Sequence, residues 1–134
     1  MTLLESFPPS ASVDAGTRWT DVCDATHLVA GRGVCALVDD HQVAVFLTED
    51  GSTWGMGNID PYSGAAVLSR GMTGSIEHEG ALVPFVASPV FKQRFDLRTG
   101  KSLEDPATGV AVWAVRVEDG IVQVGHRDYG ETAA

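Results

Sequence analysis

The chain has 134 residues, 44% of them apolar, and a formal net charge of −9. That length fits one domain, and the apolar share is that of a globular protein. The acidity argues against nucleic acid or an anionic membrane as the main partner, because both require a basic face. It serves either solubility alone or a partner with a basic patch.

Residues 1–16 carry Pro, Ser and Gly without periodicity and are expected to form a loose tail. This start has neither Lys nor Arg and no sustained apolar run, so no secretion signal is expected. The most apolar stretch, "ALVPFVASPVF", is interrupted by Pro84 and Pro89 and is too short to cross a bilayer. The expected compartment is the cytoplasm.

From residue 17 to residue 125 the pattern is one of short apolar runs broken by turn signals. "TRWTDVCDA" reads as the first strand. "GVCALVDD" and "QVAVFLTED" flank the turn "DDHQ" and form a hairpin. "STWGMGNID" follows the turn "DGS". "SGAAVLSRG" has room for one helical turn. "SIEHEG" and "ALVPFVAS" flank Glu79 and Gly80 as a second hairpin, and "KQRFDLRTG" reads as a strand ending in a turn. "VAVWAVRVEDGIVQVG" is a third hairpin, alternating on both sides of Asp119 and Gly120. Val, Ile, Phe, Trp and Thr dominate the runs, as in strands. The fold class is all-β, a small sandwich or barrel. Residues 126–134 are expected to form a second tail.

The chemistry-bearing residues are dispersed. Cys23 and Cys35 are too few for a disulfide framework; both sit in apolar strand-like runs and are expected as buried thiols. His27, His41, His78 and His126 lie in different segments, and no pair has metal-site spacing. Alternation places His78 opposite Glu77 and Glu79, and His41 falls in a solvated turn. The acidic pairs at 39–40, 49–50, 104–105 and 118–119 sit at turns, where such residues are commonly solvated. There is no G-x-S-x-G and no P-loop, and the glycines of "GMGNID" follow no β-α pattern. No catalytic residue is expected on this chain, and no metal site.

Two stretches carry more information. "SPVFKQRFDLRTG" resembles the second cluster-binding loop of the Rieske-type iron–sulfur domain, which runs Cys-Pro-x-His-x-x-x-Phe-Asp and then a turn. Pro89, Phe95, Asp96 and the Thr99–Gly100 turn keep that frame, but Ser88 stands at the cysteine position and Phe91 at the histidine position. "NIDPYSGAAVLSRG" resembles the first loop, with Asn58 at its cysteine position and Asp60 at its histidine position. The closing "VWAVRVEDGIVQV" is similar to the last hairpin of Rieske ferredoxins. "MTGSIEHEGALVPF" looks like an added segment between the loops. The resemblance extends from about Trp19 to Val124. Rieske clusters require two thiolates and two imidazoles, so the replacement of all four ligands implies a domain that binds no cluster.

A Rieske-like chain of this length without ligands is similar to the small subunit of the assimilatory NAD(P)H-dependent nitrite reductase. The phrases that match are "VCALVDDHQVAVF", "NIDPYSGAAVLSRG" and "VASPVFKQRFDLRTGKSLED". The resemblance implies a Rieske-like β-sandwich or barrel with a two-loop tip. It also implies a non-catalytic role and a large catalytic partner subunit. That partner would carry FAD, an iron–sulfur cluster and siroheme, and reduce nitrite to ammonium. A Rieske electron carrier and a generic β-sandwich interaction module are the alternatives.

If the family's geometry holds, residues 58–64 and 88–94 share one exposed tip. Phe91 then fills the vacated space, while Asn58, Asp60 and Ser88 bond to loop amides, or else these residues are whatever packs there. Tyr62, Lys92 and Arg94 are the candidate contacts for the partner. The alternative is that Tyr62 caps the core and Arg94 pairs with a turn acid.

Overall fold

Residues 16–126 are described in this computed structural model, and among them the chain forms ten strands and two 3-10 turns. The strands are β1 (Trp19–Asp24), β2 (Gly33–Val38), β3 (His41–Leu47), β4 (Thr53–Gly57), β5 (Met72–His78), β6 (Ala81–Ala87), β7 (Arg94–Asp96), β8 (Val112–Trp113), β9 (Val115–Glu118) and β10 (Ile121–Gly125). They pair antiparallel in three sheets, ordered β1-β10-β9, β2-β3-β4-β8 and β5-β6-β7. The all-β expectation holds. The expected helical turn is a 3-10 turn at Leu68–Arg70.

Local turn chemistry sets the register. β2–β3, β5–β6 and β9–β10 turn on Asp39–Asp40, Glu79–Gly80 and Asp119–Gly120, each pair with positive φ at both positions. Such turns twist in the sense of the strands they join. Glu79 is thus a turn residue. Its carboxylate comes within 3.8 Å of His78 Nε2, so only Glu77 is kept on the opposite side by alternation.

The core explains why β3 does not alternate. Val43, Val45 and Leu47 face one apolar cluster with Val115, Val117, Val122 and Val124 of the β1-β10-β9 sheet. Ala44 and Phe46 face a second cluster with Met56, Leu68, Val86, Phe95 and Leu97. A strand covered on both sides reads as a continuous apolar run. The β5–β6 hairpin is the stretch that looked like an added segment. It forms the third sheet and positions the chain at residue 88.

Three further expectations are corrected. The run from Val112 to Glu118 is not one strand: β8 pairs with β4 and β9 with β10, the chain changing sheets at Ala114. The strand read in "KQRFDLRTG" is confined to Arg94–Asp96. The cysteines are not both buried: Cys23 is half-buried and Cys35 exposed. Period-two alternation turns Val34 and Ala36 toward the core and Cys35 away from it. Partial burial still pushes both thiols up, Cys23 further helped by Asp24, which disfavours the nucleophilic thiolate.

His126 belongs to the folded part rather than to a tail. Its N–H donates to Arg18 O at 2.8 Å, Nδ1 lies 2.5 Å from Asp39 Oδ2, and Nε2 bonds Thr20 Oγ1. Of the expected tails, 1–16 and 126–134, residues 1–15 and 127–134 lie outside the described residues. No helix among the described residues is long and apolar enough to cross a membrane.

Candidate functional site

The two loops singled out by sequence leave β4 at Asn58 and β6 at Ser88, and one hydrogen bond joins them. Ser88 Oγ donates to Asp60 Oδ2 at 2.5 Å, and both residues are fully buried. The other carboxylate oxygen, Asp60 Oδ1, accepts from Tyr62 N–H at 2.8 Å. Asn58 is equally committed: its Nδ2 donates to Gln42 Oε1 at 2.9 Å and its Oδ1 accepts from Ser69 N–H at 2.7 Å. A buried carboxylate is costly unless hydrogen-bonded, and a short hydroxyl–carboxylate bond is among the stronger kinds. The expected hydrogen bonding by Asn58, Asp60 and Ser88 is what the structure contains, with a bond between the loops in addition to those with amides.

Loop 2 is pinned from within. Val90 N–H donates to Ser88 Oγ at 3.2 Å, Lys92 N–H to Ser88 O at 3.0 Å, and Ser88 N–H to Gln93 O at 2.9 Å. Lys92 has φ of 68°, a left-handed conformation unfavourable for a residue with a Cβ. The frame after the loop has a physical basis too. Phe95 is buried in the core, and Asp96 accepts from Arg98 N–H at 2.8 Å and from its guanidinium at 2.9 Å. Gly100 has φ of 80°, and a Cβ there would lie 2.1 Å from Val110 O, so only glycine fits.

Phe91 is the correction. It does not fill the space between the loops; it is 59% exposed. Ser88 and Asp60 meet directly between the loops, and Pro89, Val90, Phe91 and Lys92 are all exposed. Ile59 and Val90, which the sequence did not single out, are also exposed. An apolar pair beside a proline and outside any strand pattern was the available signal for Val90 and Phe91.

Of the candidate partner contacts, Lys92 is exposed and Tyr62 and Arg94 are engaged within the chain. Tyr62 OH donates to Ser102 Oγ at 2.8 Å, and its ring lies 6.0 Å from that of Phe95. Arg94 meets Glu104 at 2.8 Å and also lies over the Phe85 ring. Burial pushes the Glu104 carboxyl up, but hydrogen bonds from the Arg94 amide and guanidinium outweigh it, and the net shift is downward.

The donor set does not fit a Rieske cluster. Asn58, Asp60, Ser88 and Phe91 supply neither thiolate nor imidazole, and both oxygens of the one carboxylate are already bonded. Among the described residues no group of three or more His, Cys, Asp or Glu could hold a metal ion.

Residues 18–125 match the family described as Rieske-like [2Fe-2S] domain. The nitrite reductase (NADH) small subunit of Escherichia coli (strain K12) is 41% identical over 109 residues, which cover 81% of this chain and 97% of that one. The crystal structure of a protein assigned as an NADH-dependent nitrite reductase small subunit from Mycobacterium tuberculosis superposes with a TM-score of 0.75. It is 44% identical, and the match covers 84% of this chain and 97% of that one. The nitrite reductase [NAD(P)H] large subunit of Klebsiella oxytoca is 36% identical over 109 residues, 81% of this chain but 11% of that protein. In that organism a matching stretch is carried inside the large chain itself.

Proposed function

The chain belongs to the Rieske-like [2Fe-2S] domain family and, within it, to the small subunits of nitrite reductase; on that premise we propose that it is a non-catalytic subunit that docks on and supports a large catalytic subunit. The large subunit would carry FAD, an iron–sulfur cluster and siroheme, and pass electrons from NADH or NADPH to nitrite, forming ammonium for nitrogen assimilation in the cytoplasm. This chain would hold none of those groups.

The Ser88–Asp60 bond is the observation that carries the non-catalytic reading. In a cluster-bearing domain the two loops are joined through metal. Here a hydroxyl–carboxylate bond joins them, so loop closure needs no metal. That arrangement speaks against a Rieske electron carrier, while the small-subunit relatives speak against a generic interaction module.

Co-expression with the large subunit, followed by affinity capture and a nitrite-dependent NADH oxidation assay, tests the proposal. The complex is expected to turn over nitrite, and the purified small chain alone to be inactive. Nitrite turnover by the small chain alone would overturn the non-catalytic role, and failure to bind the large subunit would overturn the assignment as its subunit.

A further inference from the structure

We infer that the two-loop end is the docking surface for the large subunit, and that its anchor is an apolar knob made by Ile59, Val90 and Phe91 beside Lys92. This inference rests on the reading of the chain as a nitrite reductase subunit. Among the described residues seven large apolar side chains are exposed, and these three are the ones on the two loops. The Ser88–Asp60 bond brings the loops together, which gathers the three residues at one end. Of the other four, Met72 pairs with Ala87 beside Ser88, at the loop end of the β5–β6 hairpin, whereas Leu82 pairs with Glu77 at its far end. Val29 and Leu37 lie in a loop and on β2. Singly exposed apolar residues are ordinary on a surface, whereas a gathered patch marks an interface.

Charge and shape say what covers it. The chain carries −9 overall, yet within residues 57–64 and 88–93 Lys92 is the one exposed charged side chain, because Asp60 is buried. The complementary surface is apolar, with a carboxylate opposite Lys92. Ile59 also borders a groove of about 290 Å³ whose other walls include His41, Val110 and Trp113, so the knob has a recess beside it for a partner's apolar side chain. The hydrogen bonds on Ser88 and the left-handed Lys92 fix the knob before any contact is made, which lowers the ordering cost of binding. The Klebsiella oxytoca chain, with a matching stretch inside the large polypeptide, supports that polypeptide as the occupant over a second copy of this chain.

The test compares binding of the purified large subunit to the wild-type chain, to Phe91→Asp, to Lys92→Glu and to the control Leu82→Asp. All three changes are at exposed positions, and circular dichroism melting verifies their folding. Phe91→Asp is expected to weaken binding about tenfold or more, Lys92→Glu by a smaller factor, and Leu82→Asp within about twofold, as for a surface site outside the contact. Equal binding by wild type and folded Phe91→Asp would overturn the docking surface while leaving the proposed function intact. A wild-type chain that does not bind the large subunit would overturn both. If sedimentation shows a wild-type homodimer that Phe91→Asp dissolves, the knob is a self-contact, and the inference fails on its occupant.

Discussion

Between β3 and β9 the fully buried side chains are Val43, Val45, Val115 and Val117. At the loop pair they are Asp60 and Ser88, with Asn58 nearly so, while Ile59, Val90 and Phe91 face solvent. The two regions distribute polarity in opposite senses. In the first, removal of apolar surface from water stabilises by roughly 1.5–3 kcal/mol per large side chain. In the second, burial opposes folding, and directional bonds between the loops must offset it. An apolar core tolerates shape changes that conserve volume. A buried polar pair tolerates only partners that complete its bonds.

The largest expected effect is in the apolar cluster on the other face of β3. Phe46 is fully buried, and Phe46→Ala should cost about 3–5 kcal/mol in urea unfolding. A loss under about 1 kcal/mol would mean that β3 is not covered on both faces, since cavities of that size are never so cheap when rigid.

The polar region should respond through coupling. Asp60→Ala alone leaves Ser88 Oγ and Tyr62 N–H without their acceptor, at a cost of about 1–3 kcal/mol. Combined with Ser88→Ala, the two losses should be non-additive by about 0.5–3 kcal/mol, as for residues in direct contact. Strict additivity in the double-mutant cycle would remove the bond on which the comparison depends.

A smaller effect, of opposite sign, is expected where the backbone is held for display. Lys92→Gly relieves a left-handed residue of its Cβ and should raise stability by up to about 1 kcal/mol, while it removes the cation and loosens the knob. Thermal melts and large-subunit binding on the same variant separate the two consequences.

Acid should distinguish the regions most gently. The folded-state pKa of Glu104 is lowered, so its bonds to Arg94 contribute fully above the unfolded carboxylate value of about 4.3. The contribution is lost as pH falls through the folded value. Glu104→Gln should therefore flatten the stability–pH curve below about pH 4. An unchanged acid limb would assign that limb to other carboxylates, among them Asp24 and Asp50, which are lowered chiefly by hydrogen bonds from the Thr26 and Ser52 amides.

What the sequence made legible follows the range of the forces involved. The hairpin turns at Asp39–Asp40, Glu79–Gly80 and Asp119–Gly120 are local, and they could be read from adjacent residues. The loop frame from Phe95 to Gly100 was legible through the family resemblance, and its internal Asp96–Arg98 contacts are also local. Tyr62 reads either as a partner contact or as a cap on the core; its bond to Ser102, 40 residues away, is not legible from adjacent residues. Phe91 is expected inside because its position matches a ligand that grips a cluster; the structure has Ser88 and Asp60 in direct contact there and Phe91 exposed. Cys35 was placed inside on the strength of an apolar neighbourhood, where the face of β2 decides.

The direct test of the account is the iron and acid-labile sulfide content of the chain, purified anaerobically and then offered ferrous iron and sulfide. Loops joined by Ser88 and Asp60, with neither thiolate nor imidazole at the four positions, predict no retained iron and no visible absorption from a cluster. Two irons and two sulfides per chain, the content of a [2Fe-2S] centre, would contradict it.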